Sequence, residues 1–468
     1  MIPRVLFQKK PLEIRRACLF ALVAVVSFHL AYGVPMCQGL MVVFLYCLFR
    51  LANLPTARQT FYFGMVIGLA VYAPHLIFFW SLFGQGAVAL WCILPLWLSL
   101  FLLVGRACLI RFGPAVWAIA APFLWTGLEY FRSELYYLRF SWLNVGYAFS
   151  NSPVLPFMAG FGVYGIGFLL MAWAAFTGVV AELSNGMRIA FMVTLAALST
   201  LPLWLPNPEI TDVKTMNVTG IQLEGSSSGQ VKSALGAALK KYPQTDLFVL
   251  SEYAFLGPIP QDVLDWCKQH GKWLAAGGED PVSTNHYCNT VFVVGWDGSI
   301  VFRQGKSVPV QFMDDGLPAS EQNVWNSPWG LVGFAICYDA SYTRVMDELI
   351  RHGAQALIVP TMDSAEWGKA EHQLHGLIAP MRAAEYSVPI FRLCSSGISQ
   401  SVSREGRMMA TAPFPGQDEM LSTQMELARP GRIPFDRLVA QLGLALSVIL
   451  LVFMMVDAWW TPRPHPES

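Results

Sequence analysis

The chain has 468 residues, of which 54% are hydrophobic and only 13% charged, and its mean hydropathy is +0.45. Soluble domains carry about 25% charged residues, so this composition excludes a soluble protein and indicates an integral membrane protein. The formal net charge is zero, which excludes a basic surface for nucleic acid.

Long apolar segments fill the first 206 residues and recur once near the end of the chain. Each is long enough to cross a hydrocarbon core of about 30 Å. We expect a membrane domain of seven spans at 1–206, and an eighth span with a short tail at 437–468. The predicted spans lie at roughly 17–34, 36–52, 61–80, 86–105, 113–131, 154–180, 187–205 and 438–456.

Basic residues predict the orientation of these spans, because cytoplasmic loops carry an excess of Lys and Arg. This rule places both termini in the cytoplasm and the stretch 207–436 on the outer side. Three arginines beside the last span, Arg429, Arg432 and Arg437, oppose the assignment but are outnumbered. The supporting residues are Arg4, Lys9, Lys10, Arg15 and Arg16 before the first span, and Arg50, Arg58, Arg106, Arg111 and Arg188 in alternate loops.

Two charged residues, Glu129 and Arg132, fall three positions apart at the end of the fifth predicted span. This spacing places both on one helix face. Pairing with each other is a more common role for such residues than binding a lipid headgroup, so we expect a structural ion pair.

The stretch 207–436 predicts an α/β domain of about 230 residues, large enough to bury its own core. Short β-rich runs alternate with helical patterns throughout it. The predicted strands are 216–223, 247–251, 273–277, 290–295, 331–337, 356–360 and 389–394, with a further strand-like segment at 301–305, and the predicted helices are 230–242, 261–270, 342–352 and 369–386.

Four cysteines lie in this domain. Cys267, Cys288 and Cys394 could form a disulfide in an oxidising compartment, although their spacing requires none. Cys337 differs, because an apolar run breaks at it and a helical pattern follows. A thiol at a helix N-terminus is held near unpaired N–H groups that favour the thiolate, so this position predicts a nucleophile. A buried structural cysteine is the alternative.

Two further residues predict a site at the ends of strands. Glu252 closes the strand 247–251, and Lys306 follows the segment 301–305. A carboxylate at the end of a buried strand needs a partner or a function. Taken singly, Glu252 could be a rim carboxylate and Lys306 a solvated lysine.

Glu371, His372 and His375 share a helical face at i, i+1 and i+4, which could suggest a metal site. Three residues without a second cluster are a weak signal for a metal. We therefore expect a solvated helix face, no metal and no other cofactor.

The order Glu, Lys, Cys at strand ends resembles the triad of the nitrilase superfamily, and the whole chain resembles its membrane-bound branch, the apolipoprotein N-acyltransferases. Glu252 lies in Leu-Ser-Glu-Tyr-Ala, Lys306 in Gly-Lys-Ser-Val-Pro and Cys337 in Ile-Cys-Tyr-Asp. The resemblance implies a multi-pass α-helical membrane domain and an α-β-β-α sandwich inserted before the last span. Further matching segments are 122–132, 140–147, 162–168, 382–385 and 396–399.

The resemblance also implies a ping-pong acyl transfer without a cofactor. Cys337 would attack a phospholipid ester to give a thioester, and Glu252 would be the general base for the thiol and later for the acceptor amine. Lys306 would stabilise the oxyanion, with Tyr338 and Asp339 in support. The acceptor would be the N-terminal diacylglyceryl-cysteine of an apolipoprotein, and the enzyme would lie in the bacterial inner membrane with its catalytic domain on the periplasmic side.

Three departures from the family pattern fall near the site. Asp339 stands where the family has a glutamate, and no residue matches the glutamate that follows the family's lysine, for which Asp314 and Asp315 are the candidate replacements. The Asn-Asp-aromatic segment is altered to residues 361–367. These changes keep two alternatives open: a paralogous membrane amidase or acyltransferase with another acceptor, as in a conjugation or secretion system, and a scaffold without turnover.

Overall fold

The computed structural model describes residues 10–201 and 213–460. Arg4 and Lys9, the end of the seventh predicted span, the predicted boundary at 206/207 and the last residues of the predicted tail lie outside this range. The chain divides into two compact units. The first comprises Met1–Ser152, Phe161–Leu205 and Phe435–Ser468, and the second comprises Pro153–Gly160 and Pro206–Pro434.

Helices dominate the first unit, and strands alternate with helices in the second. The helices are α1 (Ile14–Gly33), α2 (Leu40–Leu51), α3 (Ala57–His75), α4 (Phe79–Phe83), α5 (Gly86–Tyr130), α6 (Leu155–Met158), α7 (Val163–Val179), α8 (Asn185–Thr200), α9 (Ser228–Lys241), α10 (Gln261–His270), α11 (Thr343–Arg351), α12 (Lys369–His375), α13 (Ile378–Tyr386) and α14 (Asp436–Trp460). The strands are β1 (Lys214–Ile221), β2 (Leu247–Leu250), β3 (Trp273–Ser283), β4 (His286–Val294), β5 (Ile300–Gly305), β6 (Val324–Ser327), β7 (Gly330–Phe334), β8 (Ala356–Thr361), β9 (Ile390–Cys394), β10 (Ser399–Val402), β11 (Met408–Ala412) and β12 (Met420–Leu427).

Within the described residues, four helical segments are long and apolar enough to cross a membrane. One of them covers two predicted spans and bends at Gly113, where φ is 83°, a value that suits glycine. The sixth predicted span is shorter than expected, since its helix begins only at Val163. The prediction of eight spans stays a prediction. The four segments are Ile14–Gly33, Gly86–Leu135, Val163–Glu182 and Asp436–Val456.

Close helix packing in the first unit depends on small residues. A Cβ on Gly64 of α3 would lie 2.5 Å from the Cα of Ser99 in α5. The Ser99 hydroxyl donates a hydrogen bond to the Phe61 carbonyl across the same contact, at 3.0 Å. This is the packing mode of membrane helices, which approach closely where side chains are small.

The expected ion pair between Glu129 and Arg132 is wrong. The Val145 N–H donates to Glu129 Oε1 at 2.9 Å, and Arg132 Nη2 donates to Asn144 Oδ1. No ion pair joins the two charged side chains, both of which the structure describes. The reason is tertiary, because the chain returns at Asn144 and Val145 and offers each charged group a buried partner that helix spacing does not reveal.

The second unit contains two six-stranded sheets with the same strand pattern. Their orders are β12-β1-β2-β3-β4-β5 and β11-β10-β9-β8-β7-β6. In each sheet three neighbouring strands are parallel, β1-β2-β3 in one and β7-β8-β9 in the other, and the outer strands pair antiparallel.

The sheets pack face to face between layers of helices. Apolar residues of α9 and α10, including Leu235 and Trp266, form one core with Phe248 and Leu274 of the first sheet. On the other face of that sheet, Gly220 meets Phe391 and Leu393 of β9. The predicted nitrilase-like domain with two sheets is confirmed, and the layers follow the order α-β-β-α.

The predicted elements of this domain differ from the structure in two respects. The predicted helix 369–386 is two helices, α12 and α13, separated at Gly376 and Leu377, with Pro380 in the first turn of α13 where its missing N–H costs nothing. Strands β6, β10, β11 and β12 were not predicted. All nine cysteines, including Cys267, Cys288 and Cys394, are free thiols.

Candidate active site

Cys337 lies three residues beyond the end of β7 and begins a short 3₁₀ turn, Cys337–Ser341. Its φ of 52° is in the left-handed region, which non-glycine residues seldom adopt and which turns the chain sharply. Strained backbone of this kind clusters at functional sites because the surrounding fold must hold it. The residue is 5% exposed.

The sequence-based expectation that a helix N-terminus favours the thiolate of Cys337 is wrong. The turn has only five residues, and α11 begins later, at Thr343. Burial raises the pKa of the Cys337 thiol well above its usual value, and the charge of Glu252 raises it further, against the opposing charge of Lys306. The resting group is therefore a thiol, and a base has to remove its proton.

Glu252 lies two residues after β2, with its carboxylate buried beside Cys337. Its Oε1 accepts from Lys306 Nζ at 2.8 Å and from Asn289 Nδ2 at 2.6 Å. Its Oε2 accepts from the Met362 N–H at 2.8 Å, and the Cys337 thiol donates to the carbonyl of the same residue at 4.0 Å, so the carboxylate and the thiol meet at Met362. The alternative of a rim carboxylate is wrong, because Glu252 is 2% exposed.

Lys306 directly follows β5 and is 1% exposed, so the alternative of a solvated lysine is also wrong. Its ammonium group lies 2.8 Å from Glu252 and 2.7 Å from Asp315. Burial lowers the pKa of Lys306, but the charges of Glu252, Cys337 and Asp315 outweigh it and raise the pKa well above its usual value. Lys306 is therefore a fixed positive charge.

The structure distinguishes Asp315 from Asp314, which the sequence left open. Asp315 Oδ2 accepts from Lys306 and from the Val310 N–H at 2.6 Å, and Oδ1 accepts from the Tyr253 hydroxyl at 2.8 Å and Asn289 at 2.9 Å. Asp314 is exposed. Asp315 is thus the carboxylate that joins Lys306 in the buried site.

Asp339 connects the turn of Cys337 to the segment after Lys306. Its carboxylate accepts from the N–H groups of Ser307 at 3.1 Å, Val308 at 2.7 Å and Ile336 at 3.3 Å. Burial raises the pKa of Asp339 to about 6, although the Lys306 charge and these hydrogen bonds oppose the shift. Tyr338, also predicted to support the site, packs edge-on against Tyr342 with ring centroids 5.0 Å apart.

Two family models match most of the chain. The apolipoprotein N-acyltransferase N-terminal domain matches residues 13–176, and the carbon-nitrogen hydrolase domain matches residues 232–434. The chain belongs to the apolipoprotein N-acyltransferase family. It is thus a membrane protein of the nitrilase superfamily. Its carbon-nitrogen hydrolase domain and the names of its relatives indicate an enzyme that is an acyltransferase or a hydrolase.

Two relatives that are named apolipoprotein N-acyltransferases match this chain over most of their own length, and an amidase matches over less than half of its own. An apolipoprotein N-acyltransferase of Nitrosomonas europaea is 28% identical over 410 residues, which are 78% of this chain and 80% of the relative. One of Coxiella burnetii is 26% identical over 72% of this chain and 76% of its own length. A deaminated glutathione amidase of Dictyostelium discoideum is 29% identical over 24% of this chain and 44% of its own.

Among solved structures, a carbon-nitrogen hydrolase from Helicobacter pylori covers 53% of this chain and 99% of its own. It has 18% sequence identity and a TM-score of 0.41.

The sequence did not predict several residues that hold the family's site in place. Asn289 donates to both Glu252 and Asp315, and its only signal is a polar side chain beside an apolar run in β4. Arg382 is fully buried and donates from Nε and Nη2 to the carbonyls of Ala340 and Ser341, at 2.9 and 2.7 Å. The turn that carries Cys337 is therefore fixed from α13 as well.

The expected solvated face at Glu371, His372 and His375 is wrong, because all three are at most 2% exposed. Helix α12 buries this face against Asp363. Asp363, Glu371 and His372 bring possible ligand atoms within 4.8 Å of one another. However, Arg392 Nη2 lies 2.5 Å from Asp363 Oδ2, and a guanidinium there repels a cation. This donor set therefore fits a bound metal poorly.

Proposed function

We propose that the protein transfers an acyl chain from a phospholipid, through a thioester on Cys337, to the N-terminal amine of diacylglyceryl-cysteine apolipoproteins. The observation that carries the proposal is the buried group of Glu252, Lys306 and Cys337. It occurs in a chain whose membrane part matches the apolipoprotein N-acyltransferase N-terminal domain and whose catalytic part matches the carbon-nitrogen hydrolase domain.

The residue types support two half-reactions. Glu252 takes the thiol proton, the sulfur attacks the ester carbonyl, and the proton passes from Glu252 to the leaving alkoxide, which gives a thioester and a lysophospholipid. An acceptor amine then displaces the sulfur, giving an amide, and in the simplest scheme Glu252 also takes the amine proton. Lys306 places its charge against each oxyanion, a role in which one lost donor costs about 10² to 10³ in rate.

The long apolar helices support a location in the bacterial inner membrane, where both substrates are held. We further propose that both termini face the cytoplasm and that the catalytic domain is periplasmic, on the charge distribution of the loops. The phospholipid and the apolipoprotein then reach one catalytic domain by diffusion in the membrane.

A membrane amidase or an acyltransferase with another acceptor is the second candidate. The similarity to an amidase over 24% of the chain and the altered segment 361–367 favour it. The complete set of buried ion pairs around Lys306 disfavours a scaffold without turnover.

The test is complementation in bacterial cells depleted of their own acyltransferase. Mass spectrometry of a lipoprotein N-terminus should show the triacyl form with the wild-type chain and the diacyl form with Cys337→Ala. A diacyl form with the wild-type chain would refute the proposed acceptor. Full activity of Cys337→Ala would refute the covalent mechanism.

A further inference from the structure

A second group of buried ionisable residues lies beside the proposed triad. We call it the His375 cluster. Its members are at most 2% exposed, and buried charges of this kind are retained where they are paired or functional. The cluster consists of Asp363, Glu371, His375 and Arg392.

Asp363 orients His375. The His375 Nδ1 lies 2.8 Å from Asp363 Oδ1, while Arg392 Nη2 donates to Asp363 Oδ2. The Asp363 N–H also donates to Ser395 Oγ at 3.2 Å. The carboxylate is thus held between His375 and Arg392, the backbone of Asp363 is held by Ser395, and the imidazole has a fixed direction.

This oriented imidazole is next to the nucleophile. The sulfur of Cys337, a carboxylate oxygen of Asp363 and a ring nitrogen of His375 all lie within 4.8 Å of one another. A nucleophile, an imidazole and a carboxylate that orients the imidazole are the parts of an acid–base relay. That spacing permits proton transfer to a substrate atom bound beside the sulfur, directly or through one water.

Glu252 has little capacity for a second proton transfer. Oε1 already accepts from Lys306 and Asn289, and Oε2 accepts from the Met362 N–H. Each carboxylate oxygen has about two acceptor positions, so one remains, and the thiol proton that Glu252 removes in the first step fills it. A leaving alkoxide and an attacking amine need a proton carrier that is not committed to the thiol.

We propose that His375, oriented by Asp363, protonates the leaving alcohol of the phospholipid and then accepts the proton of the acceptor amine. This inference rests on the proposed function and assigns the proton transfers of the alcohol and of the amine to His375 in place of Glu252.

The protons balance over the cycle. In the first half-reaction Glu252 takes the thiol proton, the C–S bond forms, the C–O bond breaks, and the imidazolium of His375 gives its proton to the alkoxide. In the second, the neutral amine attacks the thioester and loses one proton to the neutral His375. The C–S bond then breaks, and the thiolate regains its proton from Glu252. Both groups return to their starting states.

The charges around His375 support an imidazolium in the resting enzyme. Burial lowers the pKa of His375 and the charge of Arg392 lowers it further, but Asp363 and a hydrogen bond to Glu371 outweigh them and raise the pKa above its usual value. His372 and Cys394 also face Asp363. Because Asp363 keeps its negative charge between His375 and Arg392, the imidazolium has a permanent partner.

The experiment compares two acyl donors with His375→Gln in the full-length chain reconstituted in phospholipid nanodiscs. The leaving group of a phospholipid is the alkoxide of the lysophospholipid, which needs an acid. The leaving group of a p-nitrophenyl acyl ester is a stabilised phenolate, which does not. We expect acylation of Cys337 from the phospholipid to slow by about 10² to 10⁴, the usual contribution of a general acid. Acylation from the p-nitrophenyl ester should change by less than threefold.

His372→Gln is the matched control. His372 is on the same helix, is equally buried and stacks on Phe414 with ring centroids 4.0 Å apart. It should leave the ratio of the two acylation rates unchanged. If His375→Gln slowed acylation from both donors equally, His375 would have a structural role and the inference would be overturned. His375→Asn is measured in the same way as a check. If Cys337→Ala were still active, the proposed function itself would fail, which is a different outcome.

Discussion

Asp315→Asn is the substitution that most directly tests the buried site. Asparagine keeps one acceptor oxygen, which would stay on Lys306 and the Val310 N–H, and its NH₂ group would then face Asn289 and the Tyr253 hydroxyl. The hydroxyl can rotate to accept, but the Asn289 amide cannot. One misdirected buried donor costs about 1 to 3 kcal/mol, and losing the charge on the Lys306 contact costs about 1 kcal/mol more.

We therefore expect Asp315→Asn to weaken the site by about 2 to 4 kcal/mol, which corresponds to about 30- to 900-fold in acylation rate. The assay follows transfer of a labelled acyl chain from a phospholipid to Cys337, with the acylated peptide identified by its mass.

Asp314→Asn is the matched control, because Asp314 is the exposed neighbour. It should change the rate by less than twofold. An equal or larger loss in Asp314→Asn, or a loss below threefold in Asp315→Asn, would refute the assignment of Asp315.

Three further outcomes are expected. Acylation should fall as the pH drops through about 6, because protonated Asp339 cannot accept from all three of its N–H donors; a rate independent of pH between 5 and 7 would contradict this. The same raised pKa means that the folded state holds the Asp339 proton more tightly than the unfolded state. The thermal stability of the wild type relative to Asp339→Asn should therefore rise as the pH falls from about 6 to about 4, and a constant difference would argue against it. Arg382→Met should destabilise the catalytic domain by about 3 to 5 kcal/mol, measured by denaturant unfolding, because it removes the buried cation that pairs with Glu385. Arg303→Met, which breaks an exposed pair with Asp280, should cost less than about 1 kcal/mol.

Local sequence patterns predicted the strands and helices well where the apolar pattern was strong. The apolar strands β2, β8 and β9 and the helix α10 fall within a residue or two of their predicted bounds, because continuous apolar runs and end signals mark them. Strands β10, β11 and β12 were missed because they are short or rich in Ser, Thr and Gln, so their pairing partners rather than their composition make them strands. The same limit explains why a solvated helix face was wrongly expected at His375. Three polar residues on one helix face predict exposure to solvent unless the buried partner Asp363 is known.

The sequence by itself determined that the chain is a membrane protein, that an α/β domain precedes the last apolar segment, and that Glu252, Lys306 and Cys337 stand at strand ends. These features follow from composition and from short-range patterns, which need no knowledge of what lies opposite. Only the tertiary structure decided that Asp315 joins Lys306 and that burial keeps Cys337 a thiol. It also placed Asp363 and His375 beside the sulfur. Each of these depends on residues from different elements meeting in a buried site, where a charge is stable only next to a partner.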